Sequence, residues 1–262
     1  NGSMTQNSTR GSMNEAPVMN KDTKEMGCFT LWEKIAKKCP NLGNPEKFIY
    51  SPEKSNFVSV TVTVKDYPEF FKYLEEKTGN PTGKGGATTF VDSPWFITYG
   101  AALQPTSPSQ PDNVDVLWFY GLHSNAIGTY IKKPMNECTG EEVLKEFLYY
   151  CGLEDKMDEI IRHTIAIPTV MPYITSQFMP RKISDRPEII PKSVANLAFI
   201  GQFVELEGDV VFTVETSVRT AMTAVYRMYH LDKPVVPLFK GQYDIRMLTI
   251  ALKTMLGKDK LE

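Results

Sequence analysis

A chain of 262 residues, 42% apolar and 23% charged, is long enough for one large or two small domains with a packed core. A formal net charge of −2, with the lysines scattered, excludes an electrostatic nucleic-acid binder. No apolar run approaches the ~20 residues of a membrane span, and the four cysteines (Cys28, Cys39, Cys138, Cys151) show no CxxC or paired-His spacing, so they read as reduced thiols of a cytoplasmic protein.

Residues 1–27 are polar and aperiodic and read as loop. The chain opens on Asn within what reads as a structured segment, which suits a truncated or divided polypeptide. Thr30 with Glu33 forms a capping box that predicts a helix through Leu31, Ile35 and Ala36, ending before Pro40. Phe57 to Val64 alternates, with Val58, Val60, Val62 and Val64 on one face and Ser59, Thr61 and Thr63 on the other, which predicts a half-buried strand. Pro68 starts a helix containing Phe70, Phe71 and Leu74 that closes at Gly79. Gly83-Lys84-Gly85 lacks the GxxxxGK[ST] spacing of a phosphate loop.

Ala87 to Val91, Trp95 to Leu103 and Val114 to Tyr120 read as strands, the last two separated by a Pro/Ser loop. Thr139 with Glu142 is a second capping box, opening a helix through Leu144, Phe147 and Leu148 that ends near Gly152. Another helix follows over Met157 to Arg162. Strands that precede and alternate with helices at short spacing indicate a mixed α/β, or α+β, architecture.

Three later stretches carry the functional question. Met171 to Arg181 mixes hydroxyl, amide and aromatic groups with Pro172 and Pro180, and reads equally as a site loop or as packing. Leu197 to Ile200 is an apolar run ending at Gly201, followed by a β-like run from Val210 to Val214 and a helix capped at Thr216 or Ser217. That order would gather backbone N–H groups near a helix N-terminus, although ordinary core packing gives the same pattern. From Asp244, the residues Ile245, Leu248, Ala251, Leu252 and Leu256 recur at helical spacing with Arg246, Lys253 and Lys258 toward the other side. Such a basic amphipathic helix either docks on its own core or lies on an anionic membrane surface.

Catalytic motifs are missing: there is no GxSxG, HExxH or GxGxxG. His123, His163 and His230 are far apart and motif-free, and the carboxylates mostly fall on solvated helix faces.

The runs Met171–Pro191 (MPYITSQFMPRKISDRPEIIP) and Phe199–Glu205 (FIGQFVE) resemble the oleate hydratase family, also called myosin-cross-reactive antigens. So do Asn1–Thr5, Leu31–Lys38, Glu137–Leu144, Ser217–Tyr226 and Lys240–Leu248, in the family's order along the whole chain. The similarity covers only the C-terminal half of a typical member. The resemblance implies a flavoprotein that adds water across a cis double bond of an unsaturated fatty acid, with FAD in a structural and electrostatic role and the protein a homodimer. The family's catalytic Glu and Tyr, and its dinucleotide glycines, precede the region matched. An N-terminal half or a companion chain is therefore the expected partner, and no catalytic residue is expected in these residues.

By the same resemblance, residues 1–27 are a loop at the flavin domain, 28–190 a β-rich substrate domain, 191–229 a strand–helix return to the FAD domain and 230–262 a C-terminal helical segment. Asn1, Gly2, Ser3, Ser176, Gln177, Phe178, Gly201, Gln202, Phe203 and Ser217 are the implied FAD contacts. Trp95, Gly100, Ala102, Gln104, Thr106, Tyr173 and Thr175 are the implied substrate positions. Here the chain departs from the family. Where a Thr-x-Asn-x-x-x-His pattern usually grips the fatty acid carboxylate, it has Gly100, Ala102 and Thr106. Gly and Ala side chains offer a carboxylate no donor to offset its desolvation. Either the head group binds elsewhere, or the substrate is not free oleate, or the protein is a relative that no longer hydrates. A catalytically inactive lipid-binding or membrane-binding protein, and an FAD oxidoreductase or isomerase of related fold, are the rival readings.

Overall fold

Strands β1 (Thr9–Arg10), β2 (Phe57–Lys65), β3 (Thr88–Thr89), β4 (Ile97–Gly100), β5 (Val114–Gly121) and β6 (Thr164–Met171) form one sheet in the order β1-β6-β2-β5-β4-β3. Every neighbouring pair is antiparallel. The helices are α1 (Cys28–Ala36), α2 (Glu46–Ile49), α3 (Pro52–Ser55), α4 (Glu69–Thr78), α5 (Gly140–Tyr150), α6 (Met157–Arg162), α7 (Val214–Met228) and α8 (Ile245–Met255). The computed structural model describes residues 8–18, 28–49, 51–84, 86–208 and 214–257. The chain is a mixed α+β protein of two compact units, Asn1–Asp185 and Arg186–Glu262.

The alternation in β2 organises the first unit. Val58, Val60, Val62 and Val64 are all buried, with Val60 opposite Phe119 on one side and Pro168 on the other. Burying each valine contributes at most about 1.5–3 kcal/mol relative to exposure. Leu117, Phe119, Ala166 and Val170 extend this face, and Phe70, Leu74, Leu144 and Phe147 from α4 and α5 complete the core. The Phe119 and Phe147 rings stack with centroids 4.6 Å apart. Opposite-parity residues leave a wetter face, where the exposed Trp118 donates its indole N–H to Ser59 Oγ at 2.6 Å.

Two helix boundaries follow from local chemistry. Helix α5 begins at the reciprocal Thr139–Glu142 capping box, as the sequence predicts. Helix α4 follows Pro68 and closes on the left-handed Gly79, whose N–H reaches Glu75 O at 2.8 Å.

Several expectations are corrected. Helix α1 begins at Cys28, so Thr30 lies inside it and does not cap it. The strands expected over 87–91 and 95–103 shrink to β3 and β4, because Pro94 and a left-handed Phe96 (φ 52°) break the pairing ahead of β4. After Gly100 the ladder continues through a side chain: Gln104 Nε2 donates to Val116 O at 3.0 Å and Gln104 Oε1 accepts from Val116 N at 3.1 Å. Strand β1 falls in the stretch read as loop, and β6 was not anticipated. Pro168 interrupts β6 in sequence but costs no rung. Its carbonyl accepts from Gly11 N at 2.8 Å on the β1 side, so its ring nitrogen faces the edge where β1 has ended.

The second unit has a small core of Ile189, Val204 and Ala224, joined by Ile190, Ala198, Phe199 and Leu206. Residues 197–204 form no strand; single bonds from Phe199 N to Ile189 O (2.8 Å) and Glu205 N to Pro187 O (2.9 Å) fix them instead. Val214, expected to end a strand, is already helical, and Thr216 and Ser217 lie within α7 and do not cap it. Of the expected β-like run, residues 210–213 lie outside the described residues. Asp244 caps α8 by accepting from Arg246 N at 2.9 Å, as the helix pattern from Asp244 predicts. No α8 side chain is buried.

Candidate functional site

After β6 the chain makes a tight, ordered loop. Tyr173 takes a left-handed conformation (φ 63°) while being buried, and Ser176 returns to it with its N–H at 3.1 Å and its hydroxyl at 2.7 Å from Tyr173 O. Thr175 N donates to Ser55 O at 3.1 Å, tying the loop to the end of α3. Ser176–Phe178 then forms one 3₁₀ turn. This turn brings together one deeply buried amide and one presented ring. Gln177 is 2% exposed, and neither its Nε2 nor its Oε1 has a hydrogen-bond partner. Phe178, next in sequence, is 61% exposed. A buried donor or acceptor without a partner costs about 1–3 kcal/mol. The Gln177 amide is thus a buried polar group unmet at both ends among the described residues.

The segment over 95–114, where the resemblance puts the substrate head group, is closed on itself. Trp95 is fully buried and donates its indole N–H to Ala126 O at 2.8 Å. Gly100 ends β4 with open space where a Cβ would stand. Gln104 Nε2 also bonds Ala102 O at 2.9 Å. Gln110 Nε2 donates to Gln104 Oε1 (2.9 Å) and Val114 O (2.6 Å), while Gln110 Oε1 accepts from both Thr106 N and Thr106 Oγ1 at 2.8 Å. The Gln104, Gln110 and Thr106 side-chain donors are thus committed to protein acceptors, and the loop carries no cation.

In the second unit, Gly201 has φ 104° and nothing near its Cβ position, and its N–H donates to Thr220 Oγ1 at 2.9 Å. Gln202 is buried and Phe203 half-buried beside it in sequence, and Ser217 Oγ is buried without a partner. Asn1, Gly2 and Ser3 lie outside the described residues.

Acid–base and nucleophilic chemistry find no constellation among the described residues. His123 lies on Phe96 with ring centroids 5.5 Å apart, and His163 stacks on Tyr67 at 4.7 Å with its Nδ1 3.1 Å from Lys65 O. Burial pushes the Cys138 thiol up to about 12 and that of Cys151 well above its ordinary value, so neither is a thiolate at neutral pH. Sequence reasoning missed Glu146. It is fully buried and accepts from Thr129 N (2.6 Å), Tyr130 N (2.8 Å) and Ile131 N (2.8 Å), which makes it a clamp on the loop before α5. Its position between Glu142 and Phe147 gave no sign that this carboxylate faces inward. No group of three or more His, Cys, Asp and Glu placed to hold a metal ion occurs among the described residues.

What the fold and these sites define is a mixed α+β protein whose polar side chains at Gln177 and Ser217 are buried without a partner among the described residues. The chain belongs to the MCRA family, whose model matches residues 1–226. It is 40% identical to an oleate hydratase of Streptococcus pyogenes serotype M49 (strain NZ131), over all of this chain and 46% of that protein. It is 31% identical to a linoleate hydratase of Lactiplantibacillus plantarum, over 86% of this chain and 42% of that protein. The chain therefore spans about half the length of the curated relatives it matches.

Proposed function

We propose that this chain is the C-terminal portion of an FAD-dependent fatty acid hydratase, which adds water across a cis double bond of an unsaturated fatty acid. The observation that carries the reading is the match over the whole chain to a relative named oleate hydratase, confined to less than half of that relative. The rest of the machinery, a carboxylic acid to protonate the alkene and a phenol to activate water, belongs to the N-terminal half or to a companion chain.

The residues present fit a flavin. Gln177 offers one donor and one acceptor from a buried position, the pairing that the polar edge of an isoalloxazine ring requires, and Phe178 offers an exposed ring beside it. When bound, the flavin supplies electrostatic and structural support to a reaction without net redox change. The chain's own residues orient the cofactor and exclude water from it. Gln177→Leu is expected to weaken FAD binding about 10-fold in the complex of both halves, as loss of two buried hydrogen bonds implies. Unchanged FAD affinity by flavin fluorescence titration would remove Gln177 from the site.

Substrate head-group recognition differs from the usual arrangement in this reading. With the donors of Gln104, Gln110 and Thr106 spoken for, residues 100–106 do not grip a free carboxylate. Oleate and its methyl ester should therefore bind the protein within a few-fold of each other. A preference for the acid of 100-fold or more, lost on Thr106→Val, would contradict it. The same observation favours a second reading, a lipid-binding relative without catalysis that lies on an anionic membrane through α8. A flavin absorbance spectrum in the native material, together with hydroxy fatty acid product, separates the two.

A further inference from the structure

A cleft of about 330 Å³ in the first unit is lined by Asn44, Lys47, Pro180, Arg181, Lys182 and Asp185. We infer that it is a binding site for a phosphate oxoanion, separate from the head-group segment and independent of the hydratase reading. Three cations line it against one carboxylate, and none of the three has an ion-pair or side-chain hydrogen-bond partner among the described residues. Arg181 makes the case specific: its Nε is buried and meets no acceptor. A surface lysine is hydrated and moves freely, whereas a guanidinium buried at its Nε is held in place, so it meets an oxoanion in the cleft at a smaller ordering cost.

The cleft is also pre-formed. Asn44 N donates to Asp185 O at 2.8 Å, Lys182 N to Asp185 Oδ2 at 2.7 Å and Asp185 N to Lys182 O at 3.0 Å. Asp185 thus faces backbone N–H and fixes the Arg181–Lys182 turn against the segment carrying Lys47. The lining has three positive groups against one negative. That balance suits a dianion such as phosphate better than a single carboxylate, and Arg and Lys together supply the fork and the point charge that phosphate recognition uses. The phosphate could be that of a nucleotide, a phospholipid head group or the free ion.

The test is calorimetric titration of the full 262-residue chain with inorganic phosphate, ADP, acetate and vesicles of phosphatidylglycerol or phosphatidylcholine, at constant ionic strength. Saturable binding of phosphate or ADP, weakened about 10-fold or more by Arg181→Gln, supports the site. ADP tighter than phosphate identifies a nucleotide source, and binding to phosphatidylglycerol vesicles with none to free phosphate, kept in the Leu248→Glu/Leu252→Glu variant and lost on Arg181→Gln, identifies a lipid one. Lys47→Gln with Lys182→Gln, both at exposed positions, gives the same loss without touching a buried group and covers the case in which Arg181→Gln fails to fold. Acetate bound as tightly as phosphate, no saturable binding to any probe, or binding unchanged in both variants overturns the inference.

Discussion

Glu146 departs furthest from its residue type. A carboxylate on a helix face is ordinarily solvated, yet this one is fully buried and holds three successive N–H groups of the loop over 129–131. Each of those donors would be stranded by truncation, at about 1–3 kcal/mol apiece. Glu146→Ala is accordingly expected to lower unfolding free energy by about 3 kcal/mol or more in urea, with Glu146→Gln in between because one carbonyl oxygen survives. A loss below about 1 kcal/mol for the alanine variant would mean that the loop is held by other contacts. Gln177 is the opposite case. Its buried amide has no partner, so its replacement by Leu should leave the stability of the isolated chain unchanged or raise it. On the proposed function, its loss would be felt only in flavin binding.

At the scale of elements, legibility followed periodicity. Strand β2 was readable because four valines alternate with hydroxyl residues, and α5 because its capping box is complete in sequence. Strand β6 was not, since Pro168 argues against a central strand until one knows that its nitrogen faces past the two-residue β1. The starts of α1 and α7 were misplaced for a shared reason: Thr30, Thr216 and Ser217 are good cap residues that sit within the first turns instead. In the candidate site, the loop over 171–181 was legible as ordered and irregular, but the unmet amide of Gln177 depends on tertiary burial and is invisible in sequence. Helix α8 reads as amphipathic and keeps Ile245, Leu248, Ile250, Leu252 and Met255 exposed. For the proposed lipid contact, the chain should bind phosphatidylglycerol vesicles at low salt and lose most of that binding on Leu248→Glu with Leu252→Glu. Equal binding by the double variant would assign the attachment to another surface.

At the scale of the molecule, the two units differ in self-sufficiency. The first has a sheet covered by helices and a continuous core, whereas the core of the second, among the described residues, is the buried Ile189, Val204 and Ala224, and no α8 side chain is buried. No helix among the described residues is long and apolar enough to cross a membrane. The chain matches relatives named for fatty acid hydration over 100% and 86% of its own length but under half of theirs. Our account of it as a partial hydratase therefore turns on complementation. The most direct measurement is hydroxy fatty acid formation from oleate, followed by mass spectrometry, with the purified chain alone and after addition of the N-terminal half and FAD. The account predicts no product from the chain alone and hydroxy fatty acid, without peroxide, from the combination. Hydration by the 262-residue chain with no second polypeptide present, or none from the flavin-loaded combination, would contradict it.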